Sequence, residues 1–347
     1  MSDYTLTALS PLDTRGQERL DAFLLSHNIR KDKHLDYTCV LTDRDGQWLA
    51  TGSCFLNSLR SIAVAEAHQG EGLLRLVVSH LLSVQAARGN IHVFVYTKPD
   101  AAPRFMDLGF FEVARVADAV VFLENRRDGF PDFLKNLAAH KRPGSSAAVV
   151  INANPFTLGH LHLVETAAKA CDTLHLFVVS EDASLVPFHV RWRLVKEGVA
   201  HLPHVMCHET GPYLISNATF PSYFLLDEEV VTREHARLDA RVFLAIAQAL
   251  GITRRFVGEE PKSRITAIYN AVMREELPSG GVELTVIPRL AHQGAPVSAS
   301  TVRQLLHDGA IDAIRPLVPD STYRYFTNPE AQPVLERIRA ADRVVHD

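Results

Sequence analysis

The chain has 347 residues, 47% hydrophobic and 22% charged, which is ordinary for a globular protein and too long for one ordinary core. Its 36 Lys and Arg against 40 Asp and Glu leave a formal net charge of −4, which gives no field to draw in nucleic acid or an anionic membrane. Cys39, Cys54, Cys171 and Cys207 form no CxxC pair and no Cys/His cluster, so reduced structural thiols are expected rather than zinc.

The opening "MSDYTLTALSPLDTRGQERL" has neither signal-peptide nor transit-peptide character. No apolar run reaches the roughly 18 residues of a membrane helix. A cytoplasmic protein of two domains is the expectation. "DYTCVLTD" and "GQWLATGSCFLNSLRSIAVA" read as antiparallel strands around the turn "TDRDGQ". "EGLLRLVVSHLLSVQAARG" is a helix ending on Gly89, "NIHVFVYTK" a buried strand, "DAAPRFMDLGF" a short helix, and "FEVARVADAVVFLEN" a further set of strand-like runs. These make an α+β domain over residues 1–127. Residues 128–146 are charged, with Gly and Pro near both ends, and read as a linker holding one short helix.

From Ala147 strands and helices alternate. The strands "AVVIN", "TLHLFVVS", "HVMCHE", "RRFVGE" and "VELTVIPR" are Val-, Ile- and Leu-rich and mostly lack polar alternation, as strands covered on both faces do. A doubly wound parallel sheet over residues 147–347 follows.

In such a sheet ligands bind beyond the carboxyl ends of the strands. The first strand-to-helix turn there is "NPFTLGH". Asn154 and Pro155 end the strand, Gly159 lets the backbone approach a ligand, and Thr157 offers a hydroxyl. His160 places an imidazole over a helix N-terminus, where it can donate to phosphate. Taken alone, His160 reads as a polar residue in a first helical turn. A second signal, "APVSASTVRQLL", opens another helix with Ser298, Ser300 and Arg303. Hydroxyls there usually cap, and the guanidinium one turn later adds an anion site. The loops GxGxxG and GxxxxGK[ST] are absent from this half, which removes support for hydride transfer or a P-loop.

"TLGH" resembles the (H/T)xGH signature of the nucleotidylyltransferase superfamily, and "VSASTVR" resembles its ISSTxxR signature, with Ser300 in place of threonine. "VSEDASLVPFHVRWRLVKEGVAHLPHV", "YLISNATFPSYFL" and "FVGEEPKSRITAIYNAVM" resemble the citrate lyase ligases more closely. "IAVAEAHQGEGLLRLVVSHLL", with Gln69, Gly70 and Gly72 in its loop, is similar to the acyl-CoA-binding stretch of GNAT acetyltransferases.

The resemblance implies a ligase that uses ATP to activate acetate. It then acetylates the thiol ending a CoA-like arm on the acyl-carrier subunit of citrate lyase, releasing AMP and pyrophosphate. It implies that Thr157, His160 and the helix start hold the triphosphate, and that Ser298, Ser300 and Arg303 close on the pyrophosphate. Mg²⁺ would bridge the phosphates with few protein ligands, and no protein-built metal site is expected. Arg191 is a further phosphate candidate or a solvated charge. Gly258 and Glu259 border the nucleotide or form a plain turn. Tyr213, Ser216, Thr219 and Tyr223 shape an acyl pocket or arm channel, or belong to ordinary core. The N-terminal half recognises the arm or is a structural appendage. Two other activities stay open: adenylation of a phosphate acceptor such as phosphopantetheine or a mononucleotide, and acetyl-CoA-dependent acetyl transfer.

Overall fold

The computed structural model describes residues 4–32, 34–214, 228–259 and 264–341. They group into two units, one of residues 1–132 and 221–241, the other of residues 133–220 and 242–347. The first unit starts with β1 (Thr5–Ala8) and α1 (Thr14–Ser26), which sequence patterning did not single out. It continues through β2 (Tyr37–Thr42), β3 (Trp48–Phe55), β4 (Ser58–Val64), α2 (Leu73–Ala87), β5 (Phe94–Thr97), α3 (Ala102–Met106), β6 (Phe111–Val116) and β7 (Val120–Glu124).

Its sheet runs β1-β2-β3-β4-β5-β7-β6. Every neighbouring pair is antiparallel except β4 and β5. Helix α2 seats on β3 because Gly52 is bare there. A Cβ on it would lie 2.6 Å from Val77 and 2.9 Å from Leu81. Those two side chains join Leu49, Leu59 and Leu73 in the core of this unit. Strands β4 and β5 pair only through Ser58–Phe94 and Leu59–Val95. Past that point lies a cleft of about 810 Å³ lined by Ile62, Val64, Gly70, Gly72, Tyr96 and Lys98, among others.

Helix α4 (Gly129–Ala138) is the short helix expected between the halves. The second unit then runs β8 (Ser146–Ile151), α5 (Leu158–Ala168), β9 (Thr173–Val178), α6 (Phe188–Gly198) and β10 (Val205–Glu209). After α7 (Glu228–Leu250) come β11 (Ile252–Gly258), α8 (Arg264–Glu276) and β12 (Glu283–Ile287). The chain closes with a small hairpin, β13 (Ala291–His292) and β14 (Ala295–Pro296), and with α9 (Ala299–His307), α10 (Asp320–Phe326) and α11 (Gln332–Arg339).

The sheet order is β10-β9-β8-β11-β12, and all its pairs are parallel. β9 is buried along its whole length, and β8 at all but one position. This is the uniform burial that the missing polar alternation predicts. The fold class is therefore as expected: an α+β unit and a doubly wound parallel sheet. The order reverses direction at β8, which lies between β9 and β11. The crevice beyond the carboxyl ends of β8 and β11 is the topological switch point, where this architecture binds ligands. No helix among the described residues is long and apolar enough to cross a membrane.

Candidate active site

The turn after β8 occupies the switch point. Thr157 is the N-cap of α5, and its Oγ1 accepts from the His160 backbone N–H at 3.3 Å. In return His160 Nδ1 accepts from the Thr157 backbone N–H at 3.1 Å and lies 2.9 Å from Thr157 Oγ1. The histidine thus takes the place that Glu or Gln holds in a capping box. Because Nδ1 is the acceptor, the ring proton of the neutral form sits on Nε2. Burial first, then the charges of Arg289 and Arg303, push this imidazole down to about 4. At neutral pH His160 is an uncharged Nε2–H donor with a fixed ring. Phe156 fixes it further: it is fully buried, and its ring lies 5.9 Å from that of His160 at 14°. Gly198 of α6 is bare to receive Phe156, since a Cβ there would lie 2.5 Å from the ring. Burying a phenylalanine contributes about 1.5–3 kcal/mol.

The structure assigns several residues other tasks than their spacing implied. Thr157 is 1% exposed, so its hydroxyl is turned to the cap rather than offered outward. Gly159 is bare where backbone approaches: an added Cβ would lie 2.8 Å from the carbonyl oxygen of Val297. That contact brings the start of α5 against the residue preceding Ser298. The two phosphate-type motifs, far apart in sequence, therefore meet. Ser298 caps α9, accepting from the Thr301 N–H at 3.1 Å, and its Oγ lies 3.0 Å from Ser300 Oγ.

Arg303 is 1% exposed and donates from one terminal nitrogen to the Asn154 carbonyl at 2.6 Å. It clasps the first motif to the second. Asn154 is buried as well, its side-chain oxygen accepting from the Val186 N–H at 3.0 Å, and the Asn154–Pro155 peptide is cis. Arg191 is fully buried, so it is no solvated charge. It donates to the carbonyls of Val186, Asn152, Val179 and Glu181 at 2.6–3.0 Å. These carbonyls lie past the ends of β8 and β9, and Arg191 ties the two exits together.

Gly258 and Glu259 end β11 at the same edge. Among the described residues a Cβ on Gly258 would meet nothing within 4 Å. The Glu259 N–H donates to Ile287, and its carbonyl accepts from Arg289 Nε at 2.7 Å. Arg289 escaped sequence reasoning. It stood at the end of the strand-like run "VELTVIPR", two residues past the last residue of β12. Tyr213 lies past the edge strand β10, buried with its ring 4.8 Å from Phe133. Ser216, Thr219 and Tyr223 lie outside the described residues. In the other unit Gly70 and Gly72 have φ of +90° and +81°, with nothing within 4 Å of a Cβ on either. Gln69 precedes them, exposed. All four cysteines are free, and burial pushes Cys39 and Cys54 up to about 12, so both stay protonated.

Fold and site together define a doubly wound domain with two helix starts meeting at its switch point, in a chain that also carries an α+β unit. Residues 146–326 match the model of the citrate lyase ligase C-terminal domain. Over 319 residues, 90% of this chain and 93% of the other, the chain is 38% identical to a citrate (pro-3S)-lyase ligase of Klebsiella pneumoniae. It is 36% identical to the ligase of that name from Escherichia coli, over 93% of each chain. A solved acyl-CoA N-acyltransferase of Pseudomonas aeruginosa is 16% identical over 36% of this chain and 99% of its own, with a TM-score of 0.31. The chain belongs to the citrate lyase ligase family and is an enzyme of the ligase class.

Proposed function

We propose that the enzyme uses ATP to activate acetate as acetyl-adenylate, and then passes the acetyl group to the thiol of a CoA-like arm on the acyl-carrier subunit of citrate lyase. AMP and pyrophosphate are released. The observation that carries this reading is the meeting of two helix starts, α5 and α9, at the switch point, beside a neutral Nε2–H donor on His160. Helix starts and fixed N–H donors suit phosphate.

Acetate is ionised at neutral pH, so adenylation needs no general base. One anion must attack another. The protein's part is to neutralise charge and align the carboxylate with the α-phosphorus. His160 donates to a phosphate oxygen, and the hydroxyls of Ser298 and Ser300 face the departing pyrophosphate. Thr157, Arg191 and Arg303 act through the loops they hold. The nucleoside is assigned to the side of Gly258, where no described residue stands within 4 Å of an added Cβ. Among the described residues no group of three or more His, Cys, Asp or Glu is spaced to hold a metal. A Mg²⁺ entering on the nucleotide's phosphates would supply further charge neutralisation.

The second step needs a thiolate, which an ordinary thiol supplies sparingly at neutral pH. We assign recognition of the arm to the first unit. Its cleft lies where β4 and β5 part, and the Gly70–Gly72 backbone stands open at its rim. Comparing acetate with phosphopantetheine and nicotinamide mononucleotide as acceptors tests the reaction class. Pyrophosphate release driven by acetate supports ligation. Release driven only by a phosphate acceptor contradicts it.

A further inference from the structure

Among the described residues, three arginines stand at the carboxyl edge of the parallel sheet, and they are not equivalent. Arg191 and Arg303 are 0% and 1% exposed and hold loop carbonyls. Arg289 is only half-buried. It leaves β12 on the β11 side of the switch point, and its Nε donates to the Glu259 carbonyl at 2.7 Å. That bond fixes the plane of the guanidinium fork. The charge reaches His160, where it is the strongest of the charges holding the imidazole neutral. Burial disfavours the Arg289 cation, and Glu259 is the acid that acts to keep it charged. A half-desolvated guanidinium held by a carbonyl gains most from a nearby anion.

A triphosphate brings several negative charges. Among the described arginines of this edge, Arg191 and Arg303 are buried against loop carbonyls, whereas Arg289 is within reach of solvent and therefore of a ligand. We propose that Arg289 is a phosphate-binding residue of the adenylation site, contacting the nucleotide's phosphates alongside His160 Nε2–H. The proposal rests on the reading that this site takes ATP. The role needs the fork: lysine supplies the charge but not the planar pair of donors.

The test is calorimetric titration of the full-length enzyme and of Arg289→Met and Arg289→Lys, each with ATP and with adenosine. Thermal melts accompany each protein. The wild type is expected to bind ATP more tightly than adenosine. Arg289→Met weakens ATP by about tenfold or more, the loss of one charged contact, and leaves adenosine within about twofold. Arg289→Lys recovers part of the ATP affinity. Equal losses for ATP and adenosine in the methionine variant would make Arg289 a support for the Glu259 turn and overturn the proposal, as would no loss for either. Should the methionine variant fail to fold, the lysine variant decides: a selective loss for ATP supports the role, and unchanged binding overturns it. A wild type that binds ATP no better than adenosine would remove the ATP reading itself, and this role with it.

Discussion

Gly159 and Gly258 are both glycines at the switch point, and they are bare for opposite reasons. Gly159 has the Val297 carbonyl 2.8 Å from where a Cβ would sit, and Gly258 has nothing within 4 Å among the described residues. Backbone cannot swing aside as a side-chain tip can. Gly159→Ala is therefore expected to push α5 off the residue preceding α9, at a cost of about 1–3 kcal/mol. This exceeds the helix-propensity gain of about 1 kcal/mol. Acetate-dependent pyrophosphate release should fall at least about tenfold. Gly258→Ala should leave the melting temperature within about 2 °C, and any activity it loses reports on bound nucleotide. Equal behaviour of the two variants in melts and assays would contradict this distinction. At this scale the sequence located residues better than it explained them. Thr157, Gly159, His160 and Arg303 stood out by spacing. Spacing cannot reveal that Arg303 donates to Asn154, or that the four carbonyls around Arg191 are its partners. Those bonds form between segments that only the fold brings together.

Strands β9 and β10 carry a buried histidine pair. His175 Nδ1 lies 2.9 Å from His208 Nε2, and the other ring nitrogen of His175 has no hydrogen-bond partner among the described residues. His140, at the end of α4, faces His208 with ring centroids 5.3 Å apart. Burial, then neighbouring histidines, push His175 down to about 4 and His208 to about 3, from 6.5. Both are neutral in the folded chain at pH 7. Below pH 6.5 the unfolded chain binds protons that the folded one refuses, so stability falls as pH drops from about 6.5 toward 4. Each pH unit through which one imidazole resists protonation costs about 1.4 kcal/mol at most. His160 and His235, also held low, add to the same slope. Urea unfolding at pH 7.5, 6.5, 5.5 and 4.5 should show the loss, and it should be smaller in a His175→Leu/His208→Leu double variant. An unchanged slope in that variant would exonerate the pair. The parallel strands were legible because burial on both faces leaves unbroken apolar runs. Other features were not, and three of them show why. β1 is a four-residue edge strand, largely exposed. Helix α10 has seven residues, too few to establish a period. The β13–β14 hairpin has two-residue strands and turns on Gln293 and Gly294, both at positive φ, a turn signal without apolar flanks.

The two-part plan of the molecule was visible as a change in pattern, from antiparallel-type strands to strand–helix alternation. The division itself was less so. It falls within α4, between residues 132 and 133, and residues 221–241 group with the first unit. A reading that moves along the chain expects 128–146 as linker and 147–347 as one block, and has no means to see a later segment return. Gly70→Asp and Gly72→Asp place a side chain and a negative charge where φ is +90° and +81°, costing roughly 1–2 kcal/mol each. They should depress acetylation of the thiol-form carrier several-fold while leaving adenylation of acetate intact. Unchanged carrier acetylation would leave the first unit without a part in recognition.

The central claim is that the switch point of the second unit adenylates a carboxylate. Its most direct test is acetate-dependent pyrophosphate release from ATP, with no protein acceptor present, in the wild type and in His160→Ala. The account predicts release that depends on acetate and falls about 100-fold or more without the imidazole, as loss of a fixed donor to transition-state charge would. Release that needs a phosphate acceptor instead of acetate, or that persists undiminished in His160→Ala, would contradict it.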